Sequence, residues 1–405
     1  VIRRMKNLNL LPVLLASDIN VYSMARAFHE EYNVQSLMVA RDLSGPVMNS
    51  KILRFWEEKE LDDSKVFLET MKKIYEENKD KTLIVIGCAD HYVRLVVENK
   101  EALKDMYVVP YSNKEVLDNI VLKETFYSLC SKYNLDYAKT LVYKKEMNLD
   151  FTLDFDFPVV LKPSDSVSYN KNSFQGQHKV YFIDNIEDLK DTLKTIYGHG
   201  YEDNMIIQER IPGDDSAMYD LQVYVGSDHK VKLMNFGNVL LEEHTPKGIG
   251  SNAATLVDYN EELMKKIQVF LEDIGYEGLA DCDLTYDHRD GTYKMFEINI
   301  RQGRSHYRVT GGGDNLAKYI VEDYVLHKEL PLKFVKDEYF WHVVPLGIVY
   351  KYINDKEKVK KIKRLVKEGK VCHSLYYPKD MNIKRWAYLK LRDFNQYKKY
   401  KKHLG

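Results

Sequence analysis

The sequence predicts a chain of mixed α/β and α+β class, and three observations carry that expectation. Short apolar runs alternate with helical patterns over the first hundred or so residues, which predicts a parallel, helix-covered sheet. Hairpin signals dominate the middle of the chain, and paired strands joined by tight turns are antiparallel. The last seventy residues or so are basic and mainly helical in pattern. At 405 residues the chain exceeds one ordinary core, so several domains are expected. The pattern changes suggest an N-terminal α/β domain over 1–112, a central domain over 113–335 with a smaller part at 113–212 and a larger part at 213–335, and a basic helical extension over 336–405.

In order, Leu10 to Ala16 reads as a strand, Tyr22 to Glu31 as a helix and Ser36 to Ala40 as a strand. Phe67 to Asn78 follows as a helix, then strands at Thr82 to Gly87 and Met106 to Pro110. No GxGxxG follows the first strand, so a dinucleotide site is not supported. A helix is expected over Lys114 to Tyr133, then a strand at Thr140 to Tyr143 and another at Phe157 to Pro163 that ends beside Lys162. A polar stretch runs from Ser164 to Gln177, followed by a strand at Lys179 to Ile183 and a helix at Glu187 to Tyr197. Leu221 to Val225 and Lys230 to Phe236 flank a Gly226-Ser227-Asp228 turn and make one hairpin; Leu279 to Tyr286 and Thr292 to Arg301 make a second, after a helix at Glu261 to Ile274.

Composition narrows the function class. Hydrophobic content is ordinary and Gly and Pro are sparse, as in a folded chain without low-complexity tracts. Four scattered cysteines, with no CxxC and no Cys/His cluster, speak against structural zinc and a disulfide framework and for a reducing cytoplasm. No apolar run reaches the length of a membrane span, and the N-terminal run is broken by Pro12, so a buried first strand is expected rather than a signal peptide. The net charge of −1 hides a skew, because 18 Lys/Arg against 5 Asp/Glu fall between Lys351 and Gly405. Such a tail suits a solvated helix, an anionic lipid, a phosphorylated substrate or nucleic acid, and no nucleic-acid motif accompanies it.

The second hairpin holds the chemistry. Phe296, Ile298 and Ile300 are apolar, while Glu297, Asn299 and Arg301 alternate with them, so period two puts the polar trio on one face. Asp281 and Asp283 share a face of the preceding strand, and an Arg289-Asp290-Gly291 loop with Gly left-handed sets Asp283 opposite Glu297. Two carboxylates and an amide oxygen are hard ligands that suit Mg²⁺. The plain alternative is an exposed sheet face with cross-strand ion pairs. Lys162 beside a polar loop suits nucleotide phosphates. The run from Met205 into Pro212-Gly213-Asp214-Asp215 suits adenine and ribose.

Taken in order, these segments resemble the ATP-grasp carboxylate–amine ligases. The resemblance rests on a helix with Lys123, the strand FPVVLKPSDS, the hinge IIQERIPGDD, and an acidic strand followed by FEINIRQGR, and it covers roughly Leu10 to Pro331. The segments LLASDINVYSMARAFHEEY and LLEEHTPKGIGSNAA are similar to D-aspartate ligases of the peptidoglycan cross-bridge. The resemblance implies an ATP-grasp architecture with an N-terminal parallel-sheet (pre-ATP-grasp) domain. It also implies ATP with one or two Mg²⁺, or Mn²⁺, as cofactors.

Carried onto this chain, Lys123, Lys162 and Ser164 would hold the ATP phosphates, Gln208 and the backbone of Ile211 would read adenine, and Asp215 would take the ribose. Asp283, Glu297 and Asn299 would bind metal. Lys247 would approach the γ-phosphate, Arg301 would stabilise the acyl phosphate, and Arg304, Ser305 and His306 would face the amino acid. His244 and His306 are candidates for taking the amine proton. The sequence departs from the family at Gln208, where an acid is common, in its phosphate loop, which is not Gly-rich, and at Asp281, where some members place Arg.

The implied reaction activates an amino-acid carboxylate, best the β-carboxylate of D-aspartate, as an acyl phosphate. An amine then attacks it, in this sub-family the lysine side chain of a UDP-linked muramyl peptide, and the basic tail is suited to that diphosphate or to a membrane surface. An ATP-grasp ligase of other amides and a non-catalytic nucleotide-binding module are the competing expectations.

Overall fold

The computed structural model describes residues 8–245 and 248–404, with only the backbone at 166–167. The chain divides into two compact units, one of residues 1–114, 215–281 and 299–405, the other of 115–214 and 282–298. Residues 336–405 therefore fall in the first unit with the N-terminal segment.

The first unit opens with β1 (Leu10–Leu15), α1 (Ile19–Tyr32), β2 (Ser36–Ala40), β3 (Leu53–Glu57), α2 (Ser64–Glu76), β4 (Thr82–Gly87), α3 (Asp90–Glu98) and α4 (Lys100–Leu103). The strands form a parallel sheet in the order β3-β2-β1-β4. β1 is buried at all six positions, as a central strand covered on both faces must be. α1 starts three residues before the expected point because Asp18 caps it, its carboxylate accepting from the backbone of Asn20 and Val21. Such a cap stabilises a helix by about 1 kcal/mol. The expected strand at Met106–Pro110 is a single bridge, Ile84 to Val108. Pro110 has no N–H to extend it.

The second unit begins with α5 (Lys114–Val121) and α6 (Lys123–Lys132), where one helix was expected. Leu122 is extended (φ −74°, ψ 120°) and breaks the run, so Lys123 opens a new helix. Then come β5 (Thr140–Tyr143), β6 (Val159–Pro163), α7 (Ser166–Lys171), β7 (Tyr181–Ile183), α8 (Ile186–Gly198) and β8 (Met205–Glu209). The sheet order is β5-β8-β6-β7, all antiparallel. Val159, Leu161, Met205 and Ile207 join Leu189, Leu193 and Ile196 of α8 in one apolar core. Period two then assigns Lys162 and Gln208 to the opposite face of the sheet.

Returning to the first unit, β9 (Met218–Val225) and β10 (Val231–Glu243) make the expected hairpin and β11 (Ser251–Val257) extends it. α9 (Glu261–Asp273) leads to β12 (Gly278–Asp287), which turns into β13 (Thr292–Asn299); residues 282–298 of this hairpin belong to the second unit. Gly291 takes the left-handed conformation this turn requires (φ 74°). Ile298 and Ile300 are buried as expected, but Phe296 is only half-buried and Met295 takes the core place. Met295 forms an isolated parallel bridge with Tyr137, and its backbone N–H donates to the Asp136 carbonyl at 2.7 Å.

The first unit closes with α10 (Tyr307–Gly311), α11 (Leu316–Tyr324), β14 (Lys333–Phe334), β15 (Phe340–His342), α12 (Leu346–Tyr352), α13 (Lys356–Lys367), β16 (Val371–His373) and α14 (Ile383–His403). β15 pairs with β11 and β16 with β15, so the basic segment supplies sheet as well as helix. Fully buried Arg385 of α14 lies over the Tyr22 ring at 4.0 Å and donates to the carbonyls of Pro46 and Met48. Among the described residues, no helix is long and apolar enough to cross a membrane.

Candidate active site

In the second unit, α6 and β13 bring the Lys123 ammonium 3.2 Å from the Glu297 carboxylate. Lys162, on the face of β6 away from the core, donates to Gln208 Oε1 at 2.9 Å and stands 5.1 Å from the centre of the Phe296 ring. Desolvation pushes the Lys162 ammonium down to about 8, partly countered by the carboxylates of Glu297 and Asp283. Glu297 is held well below the usual carboxylate range, first by Lys123 and then by Lys179 and Lys162. Three ammonium groups thus share two carboxylates. The cluster carries surplus positive charge, and a polyanion relieves it.

The remaining nucleotide candidates of this unit are arranged unevenly. Gln208 is buried, and its amide donates to Thr140 Oγ1 at 2.8 Å while accepting from Lys162. Its side chain orients the lysine, which an acid at this position would instead bind as an ion pair. The Ser164 hydroxyl is buried and donates to Glu124, which also accepts from Asn204 at 3.0 Å, so it braces the start of the polar loop. Ile211 lies half-buried just past β8.

In the first unit, the parallel sheet reverses strand order beside β1, where β4 lies on the side opposite β2. In open α/β sheets such a switch point forms a crevice at the carboxyl ends of the strands. Asp18, after β1, and Asp90, at the first turn of α3, stand there. Arg301 pairs with Asp90 at 3.2 Å, and both Arg301 and Arg304 act on the Asp18 carboxylate. Arg304 donates to Glu243 at 2.5 Å. Arg392 of α14 is close enough to feel Arg304, and burial together with that like charge lowers its affinity for a proton.

Asn299 contacts Arg301 and the carbonyl of Asp281, each at 3.4 Å, while Asp281 itself is buried against Gln222. Ser305 is fully buried and donates to Asp220; His306 is fully buried, its Nδ1 beside the Gly303 carbonyl at 2.8 Å, and burial lowers it to about 4. Both therefore brace the segment that carries Arg304. Asp215 accepts from the backbone of Glu242 and lies 2.8 Å from His244 Nε2. Lys247 lies outside the described residues.

The donor chemistry fits a hard divalent cation. Glu297 is ionised at neutral pH, Asp283 adds a second carboxylate, and Asn299 follows two residues after Glu297 on β13 with an amide oxygen. Among the described residues no group of three or more His, Cys, Asp or Glu is gathered into a metal-binding set.

No protein-family profile matches the chain. Among solved structures, N5-carboxyaminoimidazole synthetase from Staphylococcus aureus complexed with ADP superposes with a TM-score of 0.60 at 12% identity, over 98% of this chain and 99% of that one. The biotin carboxylase domain of the Hydrogenobacter thermophilus 2-oxoglutarate carboxylase, in complex with MgADP, gives 0.59 at 11% identity over 79% and 70%. These likenesses show the ATP-grasp fold. D-aspartate ligase from Enterococcus faecium (strain Aus0004) is 38% identical over 414 residues, spanning 98% of this chain and 97% of the relative. The chain belongs to the D-aspartate ligase family. As a member it is an ATP-dependent ligase that joins a carboxylate to an amine with release of ADP. Within this D-aspartate ligase family member, sequence patterns missed Asp18, Asp90, Glu243 and Arg392. Each meets its arginine from a segment distant in the chain, and only the cap-like Ser17-Asp18 before an apolar helix offered a local signal.

Proposed function

We propose that the ligase activates the β-carboxylate of D-aspartate and joins it to the side-chain amine of lysine in a UDP-linked muramyl peptide, in the cytoplasm. The observation that carries this reading is the 38% identity with a D-aspartate ligase along nearly the whole chain. In this reading Lys123 and Lys162 bind the ATP phosphates, the backbone of Ile211 and the Gln208 region border adenine, and Asp215 takes ribose hydroxyls. Ser164 holds the loop through Glu124. Lys247 belongs to the same proposal as a γ-phosphate contact.

Asp283, Glu297 and Asn299 would hold Mg²⁺, which when bound neutralises charge on the transferring phosphoryl group. The aspartate carboxylate oxygen forms a bond to the γ-phosphorus as the bond to ADP breaks. Arg301 stabilises the charge on the acyl phosphate, and Arg304 grips the α-carboxylate that stays free, a task suited to a planar guanidinium. Ser305 and His306 position that arginine. The amine then forms the C–N bond as the C–O bond to phosphate breaks, and the amine proton leaves to solvent or a base. His306, fully buried and neutral at working pH, is poorly placed for that proton.

The test is phosphate release from ATP and Mg²⁺ with single amino acids of each hand, with and without the muramyl peptide. Release that needs D-aspartate and the peptide is the expected result. Release driven by another amino acid or acceptor would overturn the substrate assignment while keeping the ligase.

A further inference from the structure

α14 has 21 residues, about 30 Å of helix, and two unlike faces. One face is anchored in the first unit through Arg385, Leu389, Gln396 and Tyr400, and the Tyr400 hydroxyl donates to the carbonyl of Glu242 at 2.7 Å. The other face is the unusual one. Ile383, Trp386, Leu391, Phe394 and Tyr397 are between 46% and 86% exposed. At 100° per residue these five fall within about 140° of the helix circumference, so they form one stripe.

Lysines at 384, 390, 398, 401 and 402 stand on and beside that stripe, all exposed. Among the described residues none of the five forms an ion pair; Lys398 folds over the Phe394 ring at 4.6 Å and Lys390 over Tyr376 at 5.2 Å. Asp393 is the helix's only acidic residue, and it is turned inward to accept from the Tyr376 hydroxyl at 2.6 Å.

We propose that this outward face of α14 docks on an anionic lipid bilayer. The composition is that of an interfacial helix: aromatic and aliphatic groups enter the headgroup boundary while lysines reach lipid phosphates. Trp and Tyr favour that boundary because each has an apolar body and a polar tip. A second copy of the chain is a poor occupant, since two such faces would bring ten like charges together without an acid between them. A stripe this size left to water would be an association liability, and the lysines suppress self-association without hindering a negatively charged surface. Arg385 and Tyr400 fix the helix to the fold, so docking needs no unfolding of α14. The inference does not depend on the amino acid or acceptor that the ligase uses.

The experiment is co-sedimentation of the full chain with vesicles of equal phosphatidylglycerol and phosphatidylcholine, or of phosphatidylcholine alone, at low and high salt. Binding to the anionic vesicles should exceed binding to neutral ones by about ten-fold and weaken with salt. Trp386→Ala with Phe394→Ala, and separately Lys390→Gln with Lys398→Gln and Lys401→Gln, should each lower it by about ten-fold. Both variants should keep the ATP-dependent phosphate release of the parent, which shows that they fold. Equal binding to both vesicle types, no binding, or unchanged binding by the variants would overturn the proposal. So would a concentration-dependent dimer in sedimentation velocity that the same substitutions abolish while vesicles are ignored.

Discussion

Two charge clusters in this chain, one in each unit, behave in opposite ways. In the first unit Arg308 and Asp220 pair at 2.6 Å with no exposure of either side chain. Arg308 also donates to Asn235 Oδ1 and to the Asn235 carbonyl, both at 2.7 Å, and Asp220 receives Ser305 and Asn252 besides. One cation meets one anion, and polar neighbours take up the donors. In the second unit Lys123, Lys162 and Lys179 crowd Glu297 and Asp283, Glu297 stays partly open to solvent, and Lys162 is driven toward neutrality. A fully buried pair of matched charge holds a fold together. A partly open cluster with surplus cations and a destabilised lysine is ready for a polyanion, and that separates a site from a structural network of the same residue types.

Breaking each cluster should give different symptoms. Glu297→Gln is expected to cost turnover about a thousand-fold or more, with the circular dichroism spectrum retained, because it removes the ionised ligand set beside the lysines. Arg308→Ala should act on stability instead. It strands Asp220 without its cation and should cost about 3–5 kcal/mol in chemical denaturation.

The open cluster should also show itself through pH. Lys162 carries its charge below about 8 and loses it above, so nucleotide affinity measured by calorimetry should fall between pH 7 and pH 9, where an ordinary lysine would hold. The same depressed value means that the unfolded chain binds this proton more readily. The contribution of Lys162 to folding therefore becomes more favourable as pH rises from about 8 through the ordinary lysine range near 10.5. Glu297 moves in the same direction in a lower window: its contribution is fully present above the ordinary value near 4.5 and is lost as pH falls through its lower folded value. The smallest effect should come from Asp18→Ala, which removes the cap of α1 and should lower stability by about 1 kcal/mol, measurable as a shift in thermal midpoint.

The fold was readable wherever periodicity and burial agreed. β2, β4 and β5 stand on the residues expected, because short apolar runs between polar segments admit little else. β3 was missed because Leu53 to Glu57 is a partly exposed edge strand that mixes charges with aromatics. The break at Leu122 left no trace, since apolar positions continue on both sides of it. It matters for the site, because it places Lys123 in the first turn of α6.

Alternation in β13 correctly put Glu297 apart from Ile298, yet Met295 is buried and Phe296 only half-buried, and the backbone bridge from Tyr137 to Met295 is a long-range pairing no local pattern encodes. Ser305 and His306 follow Arg304 in a polar run that suggested a substrate surface, and only the packing around Asp220 and Gly303 shows that both are buried. The basic tail was visible as charge, but not the division of α14 into an anchored face and an exposed one.

The central claim is that the Lys123–Lys162–Glu297 cluster receives the ATP phosphates. The most direct measurement is the ATP dissociation constant by calorimetry at pH 7 for the parent chain and for Lys162→Met, beside their thermal midpoints. A ten- to hundred-fold weakening, about 1.4–2.7 kcal/mol, with a midpoint equal to or above that of the parent is the expected result. Equal affinity in the two proteins would contradict it.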